Sequence, residues 1–120
     1  MRHLAVHELS ICQALMTQVE SVAAQHQATK VISITVQIGV LSGVVPDLLA
    51  QAFTIARAGT VAEQAELITE TLPIKVRCRQ CGAETEASAN RLLCGVCGDW
   101  QTQLISGEEL LLASVELEGV

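Results

Sequence analysis

Two Cys-x-x-Cys pairs constrain this 120-residue chain more than any other feature of its sequence. Cys78 and Cys81 form the first pair, Cys94 and Cys97 form the second, and a glycine follows each pair. Turns of this kind, called knuckles, direct two thiolates at one metal ion, and four thiolates complete the tetrahedral shell of structural Zn²⁺. We therefore predict a closed zinc site with a structural role, since no position stays open for water or substrate.

Two disulfides or a thioredoxin-like redox site are the alternative interpretations of the four cysteines. A cytosolic chain would keep its thiols reduced, and a redox site needs one Cys-x-x-Cys at the end of a strand rather than two. The segment between the pairs has too few apolar residues for a core. Metal binding would have to supply its folding free energy, on the order of 10 kcal/mol in small zinc modules. The fifth cysteine, Cys12, is predicted to be a core residue.

The composition excludes several classes of function. The net charge of −6 argues against a nucleic-acid partner, which would need a basic face. No apolar run is long enough to span a membrane, and the N-terminus lacks the features of a signal peptide. No nucleophile–base pair or phosphate loop is present, so we expect no enzyme. We expect a soluble cytoplasmic protein with an aliphatic core, because Phe53 and Trp100 are the only aromatic residues.

Hydrophobic periodicity predicts an α+β fold. Apolar residues at three- and four-residue steps predict a helix over about 8–27, and Pro46 and Gly59 bracket a second helix over about 46–58. Strands are predicted at 31–38, 65–72 and 111–117. We expect a small three-stranded sheet covered by two helices, with an inserted zinc-ribbon module held by the four cysteines. The main domain would comprise residues 1–74 and 107–120, and the zinc-binding insert residues 75–106.

Alternation also predicts which strand residues face the core. The predicted inner residues are Ile32, Ile34, Val36 and Ile38 in the first strand, and Leu111, Ala113, Val115 and Leu117 in the last.

Several short motifs, spread from residue 7 to about 118, together resemble the HypA/HybF family of nickel metallochaperones. They are His7-Glu8-Leu9-Ser10-Ile11, Ile38-Gly39-Val40-Leu41-Ser42-Gly43-Val44, Ala52-Phe53, the four cysteines and Gly107-Glu108-Glu109-Leu110.

The resemblance implies a nickel-binding α/β domain that carries a zinc module. It implies delivery of Ni²⁺ to the precursor of the nickel–iron hydrogenase large subunit, together with the nickel-handling GTPase HypB, and it leaves a homodimer open. By resemblance, His7 is a nickel ligand and Glu8 is a ligand or a partner of His7. Imidazole and amide nitrogens suit Ni²⁺ in tetragonal geometry, whereas thiolates suit zinc. The alternative function is a zinc-ribbon interaction adaptor that carries no nickel.

The chain departs from the family pattern at its N-terminus. The family's histidine follows the initiator methionine, and the terminal amine completes the nickel site, but here six residues precede His7. One explanation is that translation starts at Val6 from a GTG codon, which restores Met-His-Glu. The other is that Met1, Arg2 and His3 themselves form an amine-terminal nickel site. We favour the first explanation because it restores the whole motif.

Overall fold

The computed structural model describes residues 2–119, and for residues 2–6 the backbone only. The helices are α1 (Arg2–Gln25) and α2 (Pro46–Ala56). The strands are β1 (Val31–Gly39), β2 (Glu66–Leu72), β3 (Ile74–Cys78), β4 (Glu84–Ala87), β5 (Thr102–Ser106) and β6 (Leu110–Leu117). They form two three-stranded sheets of order β2-β1-β6 and β4-β3-β5. The predicted α+β class and the predicted three-stranded sheet are confirmed.

Both helices lie where periodicity predicts them, with different ends. Helix α1 begins at Arg2 rather than near residue 8. Residues 2–7 contain no proline or glycine that would interrupt a helix. Helix α2 begins at Pro46 as predicted, after Val45 in extended conformation. It ends at Ala56, two residues before the predicted end, and Gly59 has a φ of +74° in the turn that follows. No helix of the described residues is long and apolar enough to cross a bilayer.

The first compact unit contains the described residues up to Val36, then Val44–Glu70 and the chain from Leu111 onward. Its buried apolar residues come mainly from one face of each helix and from β1. They are Cys12, Met16, Val19 and Ala23 of α1, Leu49, Ala52 and Phe53 of α2, and Val31, Ile34 and Val36 of β1, with Ala62 and Ala65 from the loop after α2. The core is therefore almost entirely aliphatic, as the composition predicts.

Cys12 is a core residue, as predicted, with 1% of its surface exposed. Its thiol donates to the carbonyl oxygen of Leu49 at 3.5 Å. Burial and, to a smaller extent, the nearby Glu8 raise the pKa of the Cys12 thiol to about 11. The side chain is thus a neutral, packed thiol.

The predicted strand faces are partly wrong. Ile34, Val36 and Ile38 are buried as expected. Ile32, however, is 40% exposed, and Val31 is buried in its place. The N–H of Val31 bonds the carbonyl of Val61, so the first residue of β1 is tied to the loop after α2. In β6 the prediction fails over the first half, where Leu111 and Ala113 are exposed, and holds for the half-buried Val115 and Leu117. Exposure of both Ala113 and the following serine marks a break in the two-residue alternation.

The second compact unit comprises Gln37–Gly43 and Thr71–Leu110. Strand β3 is its centre and pairs in antiparallel fashion with β4 and with β5. Ile74, Val76 and Cys78 are buried, whereas Lys75 and Arg77, which alternate with them, are exposed. The chain between the two cysteine pairs does not form a hairpin of its own, because β4 pairs with β3 and only a Ser88–Arg91 bridge remains. The predicted domain boundaries at 74 and 107 stay a prediction.

Two glycines of the second unit lie in close backbone contact where β1 ends. The N–H of Gly39 bonds the carbonyl of Glu109 at 2.7 Å, and the N–H of Leu41 bonds the carbonyl of Gly107 at 2.6 Å. A Cβ atom on Gly39 would lie 2.2 Å from the carbonyl oxygen of Gly107. Only glycine fits at position 39.

Candidate metal centre

The structure brings the four cysteines of the two pairs together. Their Sγ atoms all lie within 4.8 Å of one another. The Sγ atoms of Cys78 and Cys97 are 3.5 Å apart, and those of Cys81 and Cys94 are 3.6 Å apart. A tetrahedral site with Zn–S bonds of about 2.3 Å has S···S edges of about 3.8 Å. A disulfide would need an S–S distance of about 2 Å, and all five cysteines are free thiols.

The first knuckle turns its N–H groups toward its own sulfur. The Sγ atom of Cys78 accepts the N–H groups of Gln80 and Cys81, at 3.3 and 3.4 Å. The N–H of Gly82 then bonds the carbonyl of Cys78 at 3.0 Å. Gly82 has a φ of +78°, a left-handed conformation that favours glycine, which explains the glycine after the pair.

The second knuckle repeats the first. The Sγ atom of Cys94 accepts the N–H groups of Val96 and Cys97, at 3.3 and 3.4 Å. The N–H of Gly98 bonds the carbonyl of Cys94 at 2.9 Å, and the φ of Gly98 is +76°. The same local sequence, Cys-x-x-Cys-Gly, thus folds into the same turn twice and presents two sulfurs from each turn.

These hydrogen bonds favour thiolate ligands. The N–H of Cys81 and, to a smaller extent, that of Gln80 lower the pKa of the Cys78 thiol, against the opposing effect of burial. The N–H groups of Cys97 and Val96 lower the pKa of the Cys94 thiol to about 6. The thiolate is the form of cysteine that binds metal. The cluster is a four-sulfur metal-binding site of the kind found in zinc ribbons.

His7 and Glu8 lie side by side on α1 but in opposite environments. The His7 side chain is 52% exposed, whereas that of Glu8 is fully buried. Nδ1 of His7 lies 3.9 Å from Oε1 of Glu8. Among the described residues, no third histidine, cysteine, aspartate or glutamate completes a cluster with them. His3, the alternative nickel ligand, lies outside the described side chains.

Glu8 accepts one hydrogen bond that the sequence does not predict. The N–H of Val45, the residue before α2, donates to Oε2 of Glu8 at 2.9 Å. Oε1 of Glu8 is buried without a hydrogen-bond partner among the described residues. The buried carboxylate thus joins α1 to the start of α2 and leaves one oxygen facing His7.

The family model described as hydrogenase/urease nickel incorporation, metallochaperone, HypA, matches residues 6–117. The chain belongs to the HypA family. It is 52% identical over 112 residues to the hydrogenase maturation factor HypA of Nitrosospira multiformis, across 93% of this chain and 97% of that protein. It is 48% identical over 113 residues to the HypA of Aquifex aeolicus, across 94% of this chain and 98% of that protein.

Solved HypA structures share the fold. The solution structure of the nickel metallochaperone HypA from Helicobacter pylori superposes with a TM-score of 0.68 at 25% identity, and covers 92% of this chain and 96% of that one. A second HypA solution structure gives a TM-score of 0.72 at 25% identity, across 93% and 96%. The resemblance in the motifs is confirmed, and the chain is a member of a family of hydrogenase maturation factors and nickel metallochaperones.

Proposed function

We propose that this HypA-family protein carries Ni²⁺ near its N-terminus and delivers it in the cytoplasm to the precursor of the nickel–iron hydrogenase large subunit. It acts as a carrier and not as an enzyme, together with the GTPase HypB. The observation that carries the proposal is the His7–Glu8 pair at the start of the family match, where an exposed imidazole lies beside a buried carboxylate.

The two side chains have different roles in this proposal. The exposed imidazole of His7 binds nickel, because nitrogen donors suit Ni²⁺ in planar or tetragonal geometry. Oε1 of Glu8, which has no other partner among the described residues, lies on the Nδ1 side of the ring. Nδ1 is the ring nitrogen that can bind the same ion as the backbone nitrogen of His7, because the two close a six-membered chelate ring. Glu8 lies on that side of the ring, as a ligand or as a partner of His7.

The four cysteines hold Zn²⁺ in this proposal, and the zinc has a structural role. Four thiolates leave no open coordination position, and the S···S distances fit a tetrahedron of zinc–sulfur bonds. Soft sulfur donors at one site and nitrogen donors at the other separate the two metals by ligand chemistry.

The helix bounds favour a nickel-binding form that starts at residue 6. When α1 begins at Arg2, the N–H of His7 lies inside the helix and donates to a backbone carbonyl of the preceding turn. A chain that starts at position 6 frees the first four N–H groups of the helix, including that of His7. The family match also begins at residue 6.

Calorimetric nickel titration of five proteins tests the proposal. They are the form that starts at position 6 and its His7→Ala variant, and the 120-residue form with its His3→Ala and His7→Ala variants. The protein with methionine at position 6 as its first residue should bind one Ni²⁺ in a diamagnetic planar site, and His7→Ala should abolish binding. Affinity should fall as pH falls, because the amine, amide and imidazole must lose protons to bind metal. In the 120-residue form, any nickel binding should depend on His3 at least as much as on His7. If the shortened protein binds nickel equally well without His7, the adaptor without nickel becomes the better function.

The partners follow from the same proposal. Nickel-loaded protein should transfer its metal to the hydrogenase precursor in the presence of HypB, and the His7→Ala variant should not. A homodimer stays a prediction, which light scattering of the purified protein checks.

A further inference from the structure

Trp100 is the single tryptophan of the chain and is 74% exposed. Its backbone is nevertheless held on both sides. The carbonyl of Asp99 accepts the N–H of Cys94 at 3.0 Å, and the carbonyl of Trp100 accepts the N–H of Thr102 at 2.9 Å. The N–H of Gln101 donates to Oδ1 of Asp99 at 2.7 Å. A large aromatic side chain on an ordered backbone loses little conformational entropy on binding, which is typical of interface hot spots.

Trp100 lines a shallow cleft of about 440 Å³ together with Arg79, Gln101 and Thr102. The N–H of Arg79 bonds the carbonyl of Gln101 at 2.8 Å, so the two walls of the cleft are joined through their backbones. The guanidinium of Arg79 forms no ion pair or hydrogen bond within the described residues. By contrast, the guanidinium of Arg77 pairs with Glu84. The cleft therefore combines an exposed indole with an unpaired guanidinium, whose fork of N–H groups matches a carboxylate.

The cleft continues into an edge strand. Thr102 is the first residue of β5, which pairs only with β3 in its sheet. The backbone of an edge strand can pair with an extended segment of another chain. The shape of the site thus suits an extended peptide that runs past Arg79 and Trp100.

We propose that this cleft, formed by Arg79, Trp100, Gln101 and Thr102, binds an extended acidic segment of a partner protein. A carboxylate of the segment pairs with the guanidinium of Arg79, and a neighbouring apolar side chain lies on the ring of Trp100. The excess of acidic side chains lies elsewhere in the chain, because residues 71–110 carry four basic and five acidic side chains. This binding does not depend on nickel, so it stands apart from the proposed nickel site.

Fluorescence of the full-length, nickel-free protein tests the proposal, because Trp100 is the only tryptophan and the chain has no tyrosine. The probe is a blocked five-residue peptide that alternates glutamate with leucine, and its matched control has glutamine in place of each glutamate. The acidic peptide should shift Trp100 emission saturably to shorter wavelength. The glutamine peptide should bind at least about tenfold more weakly, since it cannot form a charge-assisted pair with Arg79.

Matched variants assign the effect to the cleft. Arg79→Ala should weaken binding of the acidic peptide about tenfold, while Arg91→Ala, which removes the same charge outside the cleft, should not. Arg79 lies inside the first knuckle, so the metal content of each variant is measured, and Arg79→Lys should restore part of the affinity. By calorimetry, Trp100→Ala should lose binding, and Val96→Ala, which truncates another side chain that is 71% exposed, should keep it.

Three results would each overturn the proposal. They are the absence of a saturable emission change, equal affinity for the acidic and glutamine peptides, and an equal loss in Arg79→Ala and Arg91→Ala. Because no nickel is present, none of these results bears on nickel binding at His7.

Discussion

The carboxylate of Glu8 lies completely out of solvent, which is costly for a group of this kind unless it has partners. One oxygen accepts the N–H of Val45, and the other has no hydrogen-bond partner among the described residues. The hydrogen bond satisfies a backbone donor at the start of α2, where no side chain of Val45 can cap the helix. Glu8 is thus a packing element as well as a neighbour of His7.

Two substitutions of Glu8 should have different effects on stability. Glu8→Ala should lower the free energy of unfolding by about 2 kcal/mol, because it removes the acceptor of a partly buried N–H and leaves a void. Glu8→Gln keeps an amide oxygen for Val45 and removes a buried carboxylate, so its stability should lie within about 1 kcal/mol of the parent. Urea unfolding followed by far-ultraviolet circular dichroism measures both. Glu20→Ala, an exposed residue of the same helix, is the control and should change stability by less than about 0.5 kcal/mol. Equal effects of Glu8→Ala and Glu20→Ala would contradict the packing role.

The sequence predicts some of these side chains better than others. Spacing alone points to the four cysteines, and the helical stripe correctly places Cys12 in the core. The burial of Glu8 has no such signal, because its partner Val45 lies 37 positions away and is reached only after α1, β1 and α2 have packed. A carboxylate in the first turns of a helix is ordinarily a solvated residue that favours the helix dipole.

Among the strands, the end of β1 is the most sterically restricted. Gly39→Ala should lower the free energy of unfolding by about 3 kcal/mol, because its Cβ would overlap the carbonyl of Gly107. Gly43→Ala is the matched control, since a Cβ there meets no atom within 4 Å and costs only the strain of its φ of +81°, about 1 kcal/mol. Chemical unfolding of the two variants side by side checks the difference. If both variants lose the same stability, the close contact does not limit this position.

The sequence does not predict β3 and β5 or the inward residues of β6, and each failure has a physical cause. The sequence of β3 has the alternation of a strand, since Ile74, Val76 and Cys78 alternate with exposed residues. The strand is missed because Cys78 also begins the metal-binding motif. Strand β5 has only five residues and no fully buried side chain, so its existence depends on pairing with β3. Strand β6 is rich in leucine on both faces, so its sequence does not define which residues turn inward until the break at Ala113 has formed.

The two compact units differ in what stabilises them. Within the described second unit the only buried apolar residues besides Cys78 and Cys94 are Ile38, Ile74 and Val76. The first unit, in contrast, buries an aliphatic core from α1, α2 and β1. We infer that metal binding replaces a hydrophobic core in the second unit.

Loss of one thiolate should therefore unfold one unit and spare the other. In Cys81→Ala, the amides of β3, β4 and β5 should exchange with solvent close to the rate of an unfolded chain, while those in the centres of α1 and α2 stay protected. Hydrogen exchange read by mass spectrometry resolves the two sets. Gln80→Ala, a substitution in the same turn that removes no ligand, should keep both the metal and the protection. A uniform rise in exchange across helices and strands would contradict the division.

The contact between Gly39 and Gly107 also restricts how β1 aligns with the segment that leads into β6. A slip of one residue would turn Ser33, Thr35 and Gln37 of β1 toward the core, which already disfavours it. Sliding β1 by one residue would bring Ile38 or Val40 to the carbonyl of Gly107, where no side chain fits. The end of β1, the central strand of its sheet, therefore fits beside Gly107 in one position only. Two residues without side chains thus add a steric reason, besides the apolar pattern, for a single alignment of this strand.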